Sequence, residues 1–315
     1  MMSAKVQFLN VGWGDAHLIE LPSGKVCLID GGDGVSSPVQ DHPLSWMNRN
    51  SVEQLDWMIL THIHEDHVNG LLDIARVKSV TKAILPYEPF ILPPEQLVQE
   101  RGDDFTKRVF AMLASYLELV HVLSEQGTEM IWRSAYGSSE DSIVWSEEGV
   151  VFTQLYPWHS DPLPAFDVLF EAGTNSACYE DDYILENTAK FFELSNHDSS
   201  VYRLSFMEEP DSTVLFGGDL LEPGWKRLAQ RIDIRSSILK VSHHGLQDGF
   251  NARILSWIQP KHCIIPISII RSSAFLNEWE ELRSNTDASF YLTGSLAPGE
   301  KLEIENGSLK VQIGF

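Results

Sequence analysis

The sequence predicts an α+β fold in which two mixed β-sheets pack face to face and helices cover both outer surfaces, an αββα sandwich. Short apolar runs typical of buried strands recur along the chain and fall into two halves, each with strands first and helices later. Several of these runs end in glycine and a polar residue, where α/β scaffolds commonly carry their chemistry. We therefore expect a single domain over residues 1–315, with insertions.

The first half predicts a strand hairpin followed by a buried strand and a helix. The segments AKVQFLNVG and AHLIELPSGKVCLID have strand patterns, and Pro22–Gly24 marks a hairpin. Gln54–Thr61 is the next predicted strand, a helix follows over 71–77, and Ala83–Pro86 is a further short apolar run. Asp30 ends the strand VCLID and precedes a glycine-rich loop.

Two segments interrupt the strand pattern and are predicted as insertions. The first, at about 87–148, contains apolar residues at helical spacing over Glu95–Val122 and predicts a long amphipathic helix. The second, at about 157–190, is acidic and aromatic and predicts an irregular loop. This loop is either a wall over the functional site or an acidic surface loop without a role.

Strand patterns return in the second half of the chain. They cover Val150–Tyr156, Ser200–Phe206, Thr213–Phe216, Ile238–Val241, Lys261–Pro266, Phe290–Thr293 and a closing hairpin over Lys301–Ile313. The strands VLF and ILKV each run directly into a polar motif, GGD and SHHG. The second half thus repeats the arrangement of the first, with functional residue types at strand ends.

The composition excludes two classes of partner. The net charge is −22, with 23 basic against 45 acidic residues and no cluster of Lys and Arg, which argues against indiscriminate binding of duplex DNA. No apolar run approaches the ~20 residues that span a bilayer, so we expect no membrane partner. The N-terminus enters a strand pattern at once, without the pattern of a signal peptide, and a cytoplasmic location is the expectation.

The segment LTHIHEDHVNG carries the densest set of metal-ligand types in the chain. His62 and His64 alternate in extended chain and are placed to converge on one ion, whereas Asp66 and His67 would face a second. This pattern predicts a dinuclear metal site. Three other strand ends carry ligand types, namely Asp30, Asp219 and the pair His243–His244, and a further candidate, Asn196–Ser200, lies immediately before a strand.

In this order the motifs Asp30, HxHxDH, the segment near 197, GGD and HHG resemble the metallo-β-lactamase superfamily of metallohydrolases. The flanking sequences FLNVGWGDAHLIELPSG, LDWMILTHIHEDHVNGL, VLFGGDLL and ILKVSHHG are similar to the hydrolase domain of bacterial competence DNA-channel proteins. The resemblance spans roughly residues 5–86 and 150–270. It implies a metallo-β-lactamase-like αββα sandwich and hydrolysis by a hydroxide held between two divalent metal ions.

The resemblance also implies a ligand set. His62, His64 and a residue of the third motif would hold the first metal, and Asp66, His67 and one of His243 and His244 would hold the second. Asp219 would bridge the two ions. Asp66 would also orient the nucleophile, and the paired histidine that is not a ligand would protonate the leaving group.

Two of these assignments leave an alternative open. For the pair we favour His244 as the ligand and His243 as the acid. In the third motif, SNHDSSV, we favour His197 over Asn196, because aligning Ser200 with the family's serine puts His197 in register.

Other residues are expected around the metal ligands. Asp30 would accept a hydrogen bond from a ligating histidine, and Asp15 lies in a loop that approaches the site in the family. The aromatic residues are candidates for stacking on a base, with ordinary core packing as the alternative. The substrate-binding candidates are Trp13, Tyr156, Trp158 and His159.

Nitrogen and oxygen ligands favour two divalent ions, with Zn²⁺ as the first choice and Mn²⁺ as the second. The favoured activity is that of a phosphodiesterase or nuclease acting on single-stranded nucleic acid or a small phosphodiester. The alternatives are hydrolysis of a lactone, thioester or β-lactam, and a non-catalytic interaction module on the same fold. The helix at 95–122 is a candidate surface for a protein partner or a homodimer.

Overall fold

The computed structural model describes residues 4–35, 37–138, 142–147, 149–174, 181–296, 300–305 and 307–312. Within these ranges the strands form two sheets, one of eight strands and one of seven. The predicted α+β sandwich is confirmed.

The first sheet contains the first and the last strand of the described ranges. In chain order its strands are β1 (Lys5–Phe8), β2 (His17–Glu20), β3 (Val26–Ile29), β4 (Gln54–Ile59), β5 (Ser79–Leu85), β6 (Glu129–Trp132), β14 (Lys301–Glu305) and β15 (Ser308–Gln312). Their spatial order is β15-β14-β1-β2-β3-β4-β5-β6. The strands β3 to β6 are parallel, and the remaining pairs are antiparallel. The carboxyl ends of β3 to β6 therefore share one edge of the sheet.

The second sheet has the same mixed character. Its strands are β7 (Ser142–Glu147), β8 (Val150–Tyr156), β9 (Val201–Phe206), β10 (Glu209–Phe216), β11 (Ile238–Lys240), β12 (His262–Ser268) and β13 (Ser289–Gly294), in the spatial order β13-β12-β11-β10-β9-β8-β7. The strands β10 to β13 are parallel, and β7 to β10 are antiparallel.

The helices lie between and after the strands. They are α1 (Pro43–Arg49), α2 (Glu65–Ala75), α3 (Glu95–Arg101), α4 (Asp104–Glu125), α5 (Pro164–Thr174), α6 (Asp181–Ser195), α7 (Glu222–Arg231), α8 (Ala252–Ile258), α9 (Ile269–Ser272) and α10 (Leu276–Ser284). Short 3₁₀ turns occupy Arg133–Ala135, Asn196–Asp198 and Ser242–Gly245. No helix of the described ranges combines the length and the apolar character that crossing a bilayer requires.

Alternating side chains of the strands pack on opposite faces, as the period of a strand dictates. In β3, Cys27 and Ile29 belong to the apolar cluster between the sheets, whereas Val26 and Leu28 pack with residues of α2 and α4. The second sheet packs its other face against α7, α8 and α10. Each sheet is therefore buried on both faces, which fixes the positions of its strand ends.

The predicted helix over Glu95–Val122 is two helices in the structure. Helix α3 ends before Gly102, and Asp103 begins α4 by accepting a hydrogen bond from the backbone N–H of Thr106 at 2.7 Å. An aspartate at this position stabilises a helix start, which a count of apolar spacing does not register. The apolar face of α4 is buried in the protein's own core.

The irregular loop predicted at 157–190 is largely helical in the structure. Helices α5 and α6 occupy most of it, and residues 175–180 lie outside the described ranges. Buried Ile184, Thr188 and Phe191 recur at helical spacing on α6. The acidic and aromatic composition of the segment conceals this period in the sequence.

Candidate metal centre

Four parallel strand ends, two in each sheet, place the site at one edge of the sandwich. In the first sheet, β3 runs into Asp30 and β4 runs into the segment 60–67. In the second sheet, β10 runs into Asp219 and β11 runs into 241–245. Each motif follows the carboxyl end of a strand, so pairing in both sheets brings the motifs together although they are far apart in sequence.

The backbone of the loop after β3 packs directly against the backbone of α2. The amide of Gly31 donates to the carbonyl of His67 at 2.8 Å, and the amide of Gly70 donates to the carbonyl of Gly32 at 3.1 Å. A Cβ atom on Gly70 would lie 1.8 Å from the carbonyl oxygen of Gly31. Only glycine permits this approach, which holds the helix carrying His67 beside Asp30.

Three site residues have left-handed backbone conformations that are rare for residues with a side chain. The φ angles are 57° at Asp30, 48° at His243 and 51° at His244. Such conformations cost free energy and persist where the surrounding structure enforces them, often at functional sites. Here they lie after two strands, β3 and β11, where Asp30 contacts His67 and His244 joins a ligand group.

Two groups of side chains meet at this centre with ligand atoms close enough to hold metal ions. The first is His62, His64 and Asp219, and the second is Asp66, His67 and His244, with ligand atoms within 4.8 Å of one another in each. The Oδ2 atom of Asp219 also lies 3.4 Å from His67 Nε2 and 3.2 Å from His244 Nε2. Asp219 is therefore placed between the two groups.

Each histidine of the two ligand groups has one ring nitrogen in contact with a hydrogen-bond partner outside these groups. Thr61 Oγ1 lies 3.1 Å from His62 Nδ1, and Asp30 Oδ2 lies 2.9 Å from His67 Nδ1. The other two rings contact backbone carbonyls: His64 Nε2 donates to Phe192 at 3.0 Å, and His244 Nδ1 donates to Pro266 at 2.9 Å. Such partners fix the ring orientation of metal-ligating histidines.

The remaining nitrogens fit a metal centre. The Nε2 atoms of His62, His67 and His244 are buried without a hydrogen-bond partner among the described residues. Buried polar atoms without partners are rare and require an explanation. Three imidazole nitrogens converging with carboxylates at such a point match the donor set of Zn²⁺ or another divalent cation.

The pKa shifts indicate a site that attracts positive charge. Burial alone would lower the pKa of His67, but the carboxylates of Asp219, Asp30 and Asp66 raise it well above its ordinary value. Burial lowers the pKa of His64 despite the nearby carboxylates. Burial would raise the pKa of Asp219, yet His244 and His67 hold it well below its usual range. The carboxylate is therefore ionised at neutral pH, as a metal ligand must be.

A buried lysine, Lys240, contacts residues next to the metal centre, and the sequence analysis did not identify it. Lys240 is fully buried on β11, and its Nζ donates to Asp15 Oδ2 and, at 2.9 Å, to the carbonyl of Gly218. The same Nζ lies 3.9 Å from Asp219 Oδ1. Lys240 thus compensates Asp15 and fixes the turn that presents Asp219.

The two predicted supporting aspartates lie in direct contact with site residues. Asp30 accepts hydrogen bonds from the backbone and hydroxyl of Thr61 at 2.8 Å each, in addition to its contact with His67. Asp15 lies within reach of two further combinations of ligand atoms, one with Asp219 and His244 and one with Asp30 and His67. Both carboxylates are buried.

The third motif contributes Asn196 to the surroundings of the site. The side-chain amide of Asn196 lies 3.1 Å from His243 Nε2, and its Oδ1 is buried without a partner among the described residues. His197, the favoured candidate, belongs to none of the ligand groups found among the described residues. Partial burial and the charge of Arg227 lower the pKa of His197.

The paired histidines occupy different positions. His244 belongs to the group with Asp66 and His67, and its Nε2 lies 3.0 Å from Asp66 Oδ2. His243 belongs to none of the ligand groups of the described residues, is partly exposed, and has its Nδ1 2.7 Å from Asp248 Oδ1.

The four substrate-binding candidates do not lie together in the structure. The Trp13 ring lies 4.4 Å from the His244 ring, at the metal centre. Tyr156 is buried, and its hydroxyl donates to the carbonyl of His197 at 3.4 Å. Trp158 and His159 line a different cavity, whose lining includes none of the ligand-group residues.

Two further residues at the centre escaped sequence reasoning. The Phe192 ring of α6 stacks on His64 at 4.2 Å, and the guanidinium of Arg271 lies 4.0 Å from the centre of the Trp13 ring. No pattern in the sequence relates either residue to the histidine motif, since both contacts depend on packing between distant segments.

Asp198, within the third motif, is the basis for a predicted pH dependence of stability. Burial raises its pKa from 3.8 to about 6, against the opposing effects of Arg133 and Tyr87. The folded protein then binds this proton more tightly than the unfolded chain, so the contribution of Asp198 falls as pH rises from about 4 to 6. This loss amounts to about 3 kcal/mol.

The measurement is the free energy of unfolding of the wild type and of Asp198→Asn between pH 4 and pH 8. We expect the variant to gain stability relative to the wild type as the pH rises, because Asn cannot ionise. Asp287→Asn, which changes an exposed carboxylate, is the control. A constant difference between wild type and Asp198→Asn would contradict the shift.

Comparison with known proteins identifies the family to which this chain belongs. Residues 10–255 match the family model described as the metallo-beta-lactamase superfamily. No curated protein matches the chain by sequence.

Solved structures with a similar fold share little sequence with this chain. The metallo-beta-lactamase fold protein YhfI from Bacillus subtilis has 11% identity and a TM-score of 0.49, covering 98% of this chain and 99% of its own. A diphosphatase of the PhnP family has 13% identity and a TM-score of 0.44, with coverages of 99% and 100%. CmlA, a diiron β-hydroxylase from Streptomyces venezuelae, has 12% identity and a TM-score of 0.47, with coverages of 96% and 54%.

Proposed function

Because the chain belongs to the metallo-β-lactamase superfamily, we propose that this hydrolase is a dinuclear metal-dependent phosphodiesterase. Its substrate is a single-stranded nucleic acid end or a small phosphodiester, and its ions are Zn²⁺ or, as the second choice, Mn²⁺. The observation that carries the proposal is the convergence of two ligand groups on either side of Asp219.

The chain's own residues divide into two ligand sets. His62 and His64 would hold one ion, and Asp66, His67 and His244 the other, with Asp219 between them. When bound, two such cations supply a water that ionises near neutral pH and stabilise the charge that develops during hydrolysis.

A cation and an aromatic ring beside the centre favour a phosphodiester. Arg271 is exposed, forms no ion pair among the described residues, and lies over Trp13, which itself contacts the His244 ring. A guanidinium binds phosphate oxygens, and an indole stacks on a base. The net charge of −22 opposes a broad polyanion-binding face, so recognition falls to such local groups.

His243 is placed to move a proton at the rim of this site. Asp248 Oδ1 contacts its Nδ1 at 2.7 Å, and the Asn196 amide lies 3.1 Å from its Nε2. A carboxylate on one ring nitrogen orients the imidazole, whose other nitrogen would carry the proton that is transferred. Donation of that proton to the leaving oxygen is the role we assign to His243.

The activity is tested with the Zn²⁺- and Mn²⁺-loaded protein on bis(p-nitrophenyl) phosphate, a single-stranded DNA oligonucleotide, an RNA oligonucleotide and the matching duplex. A thioester, a lactone and a β-lactam complete the panel. We expect hydrolysis of the diester and of single strands in preference to the duplex. Turnover confined to the thioester, lactone or β-lactam would overturn the proposal.

Recognition is tested with Arg271→Gln against Arg283→Gln, an exposed arginine on α10 that removes the same charge. We expect Arg271→Gln to lower kcat/KM for the oligonucleotide about 10-fold, since hydrogen bonds to charged groups contribute about 1.5–3 kcal/mol. Arg283→Gln should leave kcat/KM unchanged. Equal effects of the two variants would mean that only the overall charge matters.

A further inference from the structure

A second cavity lies along the same edge of the first sheet, beyond the metal centre. It has a volume of about 590 Å³ and is bounded by the segments that follow β5, β6 and β8 and by α5. This volume is within the range of about 300–1,000 Å³ that small-molecule sites have. The proposed function assigns nothing to it.

Five Tyr, Phe and Trp side chains line its wall. Tyr87 and Phe166 stack with ring centres 5.1 Å apart, and Phe90, Trp132 and Trp158 complete the aromatic lining. Planar rings at such a wall favour a flat apolar ligand, because offset and edge contacts bury large areas of ring surface.

Two hydrogen-bond donors of the wall are buried without a partner among the described residues. Arg133 is 2% exposed, and its Nη1 donates to the carbonyl of Asp198, whereas its Nη2 has no partner. The indole Nε1 of Trp158 is likewise buried and without a partner. Both residues line the cavity. Unpaired buried donors are costly, and an acceptor group of a ligand would lower that cost wherever it reaches them.

The charges around the cavity limit what the ligand can carry. Arg133 lies over Tyr87 at 4.7 Å, and the Tyr87 hydroxyl donates to the carboxylate of Asp198 at 2.5 Å. Glu88 is exposed on the lining. One guanidinium against two carboxylates leaves these surroundings net negative, which repels a di- or triphosphate; a single carboxylate would depend on direct hydrogen bonds from the wall.

From these observations we propose that the cavity is a binding site for a small aromatic monocarboxylate. Its ring system lies among the aromatic side chains, and its carboxylate accepts hydrogen bonds from Arg133 and Trp158. An arginine in an aromatic, water-poor site binds a carboxylate with charge-assisted hydrogen bonds. The site is separate from the metal centre, so its occupancy does not depend on hydrolysis.

Calorimetric titration of the metal-loaded protein with sodium 2-naphthoate tests this site, with 2-naphthamide and 2-naphthyl phosphate as comparison ligands. We expect saturable binding of one naphthoate per chain, at least about 10-fold tighter than the neutral amide, since charge-assisted bonds are about twice as strong as neutral ones. The doubly charged phosphate should bind more weakly than naphthoate. Absence of naphthoate binding, or equal affinity for acid and amide, would overturn the proposal.

Two variants test whether naphthoate binds in this cavity. Leu163→Trp places a larger side chain in the lining and should abolish naphthoate binding while leaving hydrolysis of bis(p-nitrophenyl) phosphate unchanged. Leu276→Trp, at an exposed position of α10, is the control and should bind as the wild type does. Unchanged affinity in Leu163→Trp would place naphthoate elsewhere and contradict the assignment.

The two donors are tested separately. Trp158→Phe keeps an aromatic ring but removes Nε1, and it should weaken naphthoate binding several-fold. Arg133→Gln should remove the preference for naphthoate over the amide; thermal unfolding establishes that it folds. Arg133 also donates a hydrogen bond to the Asp198 carbonyl, so its replacement affects packing as well as binding. If Arg133→Gln does not fold, the naphthoate affinity of Trp158→Phe alone tests the proposed contacts. Wild-type affinity in Trp158→Phe would contradict the proposed contact.

Discussion

Replacing Asp219 by Asn should abolish hydrolysis while the chain stays folded. Asp219 is 1% exposed, and its Oδ2 lies 3.9 Å from His62 Nε2 and within 3.4 Å of two further imidazole nitrogens. An amide of nearly the same shape removes the charge that lies between the two ligand groups. Losing an outer partner of a metal ligand already costs about 10- to 100-fold, so we expect kcat/KM to fall by more than about 100-fold.

His64→Ala should have a comparable effect, because it removes one member of the first ligand group. His121→Ala, which removes an exposed imidazole on α4, is the matched control and should retain full turnover. Circular dichroism and thermal unfolding separate loss of the site from loss of the fold. Full rates in Asp219→Asn or His64→Ala would rule out hydrolysis at this centre.

Lys240→Met should lower the free energy of unfolding by about 3–5 kcal/mol, the cost of breaking a buried ion pair by removing one partner. The variant leaves Asp15, which is 1% exposed, without the ammonium that donates to it. It also removes the donor to the Gly218 carbonyl next to Asp219. Urea unfolding of the chelator-treated protein measures this loss without the contribution of bound ions.

The double variant Asp15→Asn/Lys240→Met separates charge from packing. We expect it to recover a large part of the stability, because neither member of the ion pair then remains as an unpaired buried charge. If the double variant is as unstable as the sum of the two single variants, Lys240 and Asp15 do not act as a pair. Lys25→Met, at an exposed pair with Glu147, should leave the free energy of unfolding nearly unchanged.

The sequence predicts the position of the site better than the identity of every residue in it. Asp30, Asp219 and His244 each follow an apolar run, and strand pairing within each sheet, together with the packing of the two sheets, brings such ends to one edge. The family match over residues 10–255 confirms the predicted membership of the metallo-β-lactamase superfamily, and the two sheets confirm the predicted sandwich.

Contacts between distant segments were not predictable in this way. Lys240 stands within the apolar run of β11 and pairs with Asp15, 225 positions away in the chain. Phe192 reaches His64 because α6 packs beside the site, although the sequence predicts a loop over most of that helix. Such contacts depend on how helices dock on sheets, which local periodicity does not encode.

The third motif contains the one ligand assignment that depends on a register argument. Aligning Ser200 favours His197 as the ligand, and this assignment stays a prediction. A 3₁₀ turn over Asn196–Asp198 sends neighbouring side chains in different directions, so Asn196 contacts His243 and His197 lies in the field of Arg227. One residue of register in a tight turn changes which side chain faces the centre.

The metal content of the folded protein tests the central claim most directly. After loading with Zn²⁺ and removal of excess ion, elemental analysis should give about two equivalents per chain, since two ligand groups flank Asp219. Asp219→Asn should retain fewer, and His121→Ala the full amount. Less than about one equivalent in the folded wild-type chain would contradict a dinuclear centre.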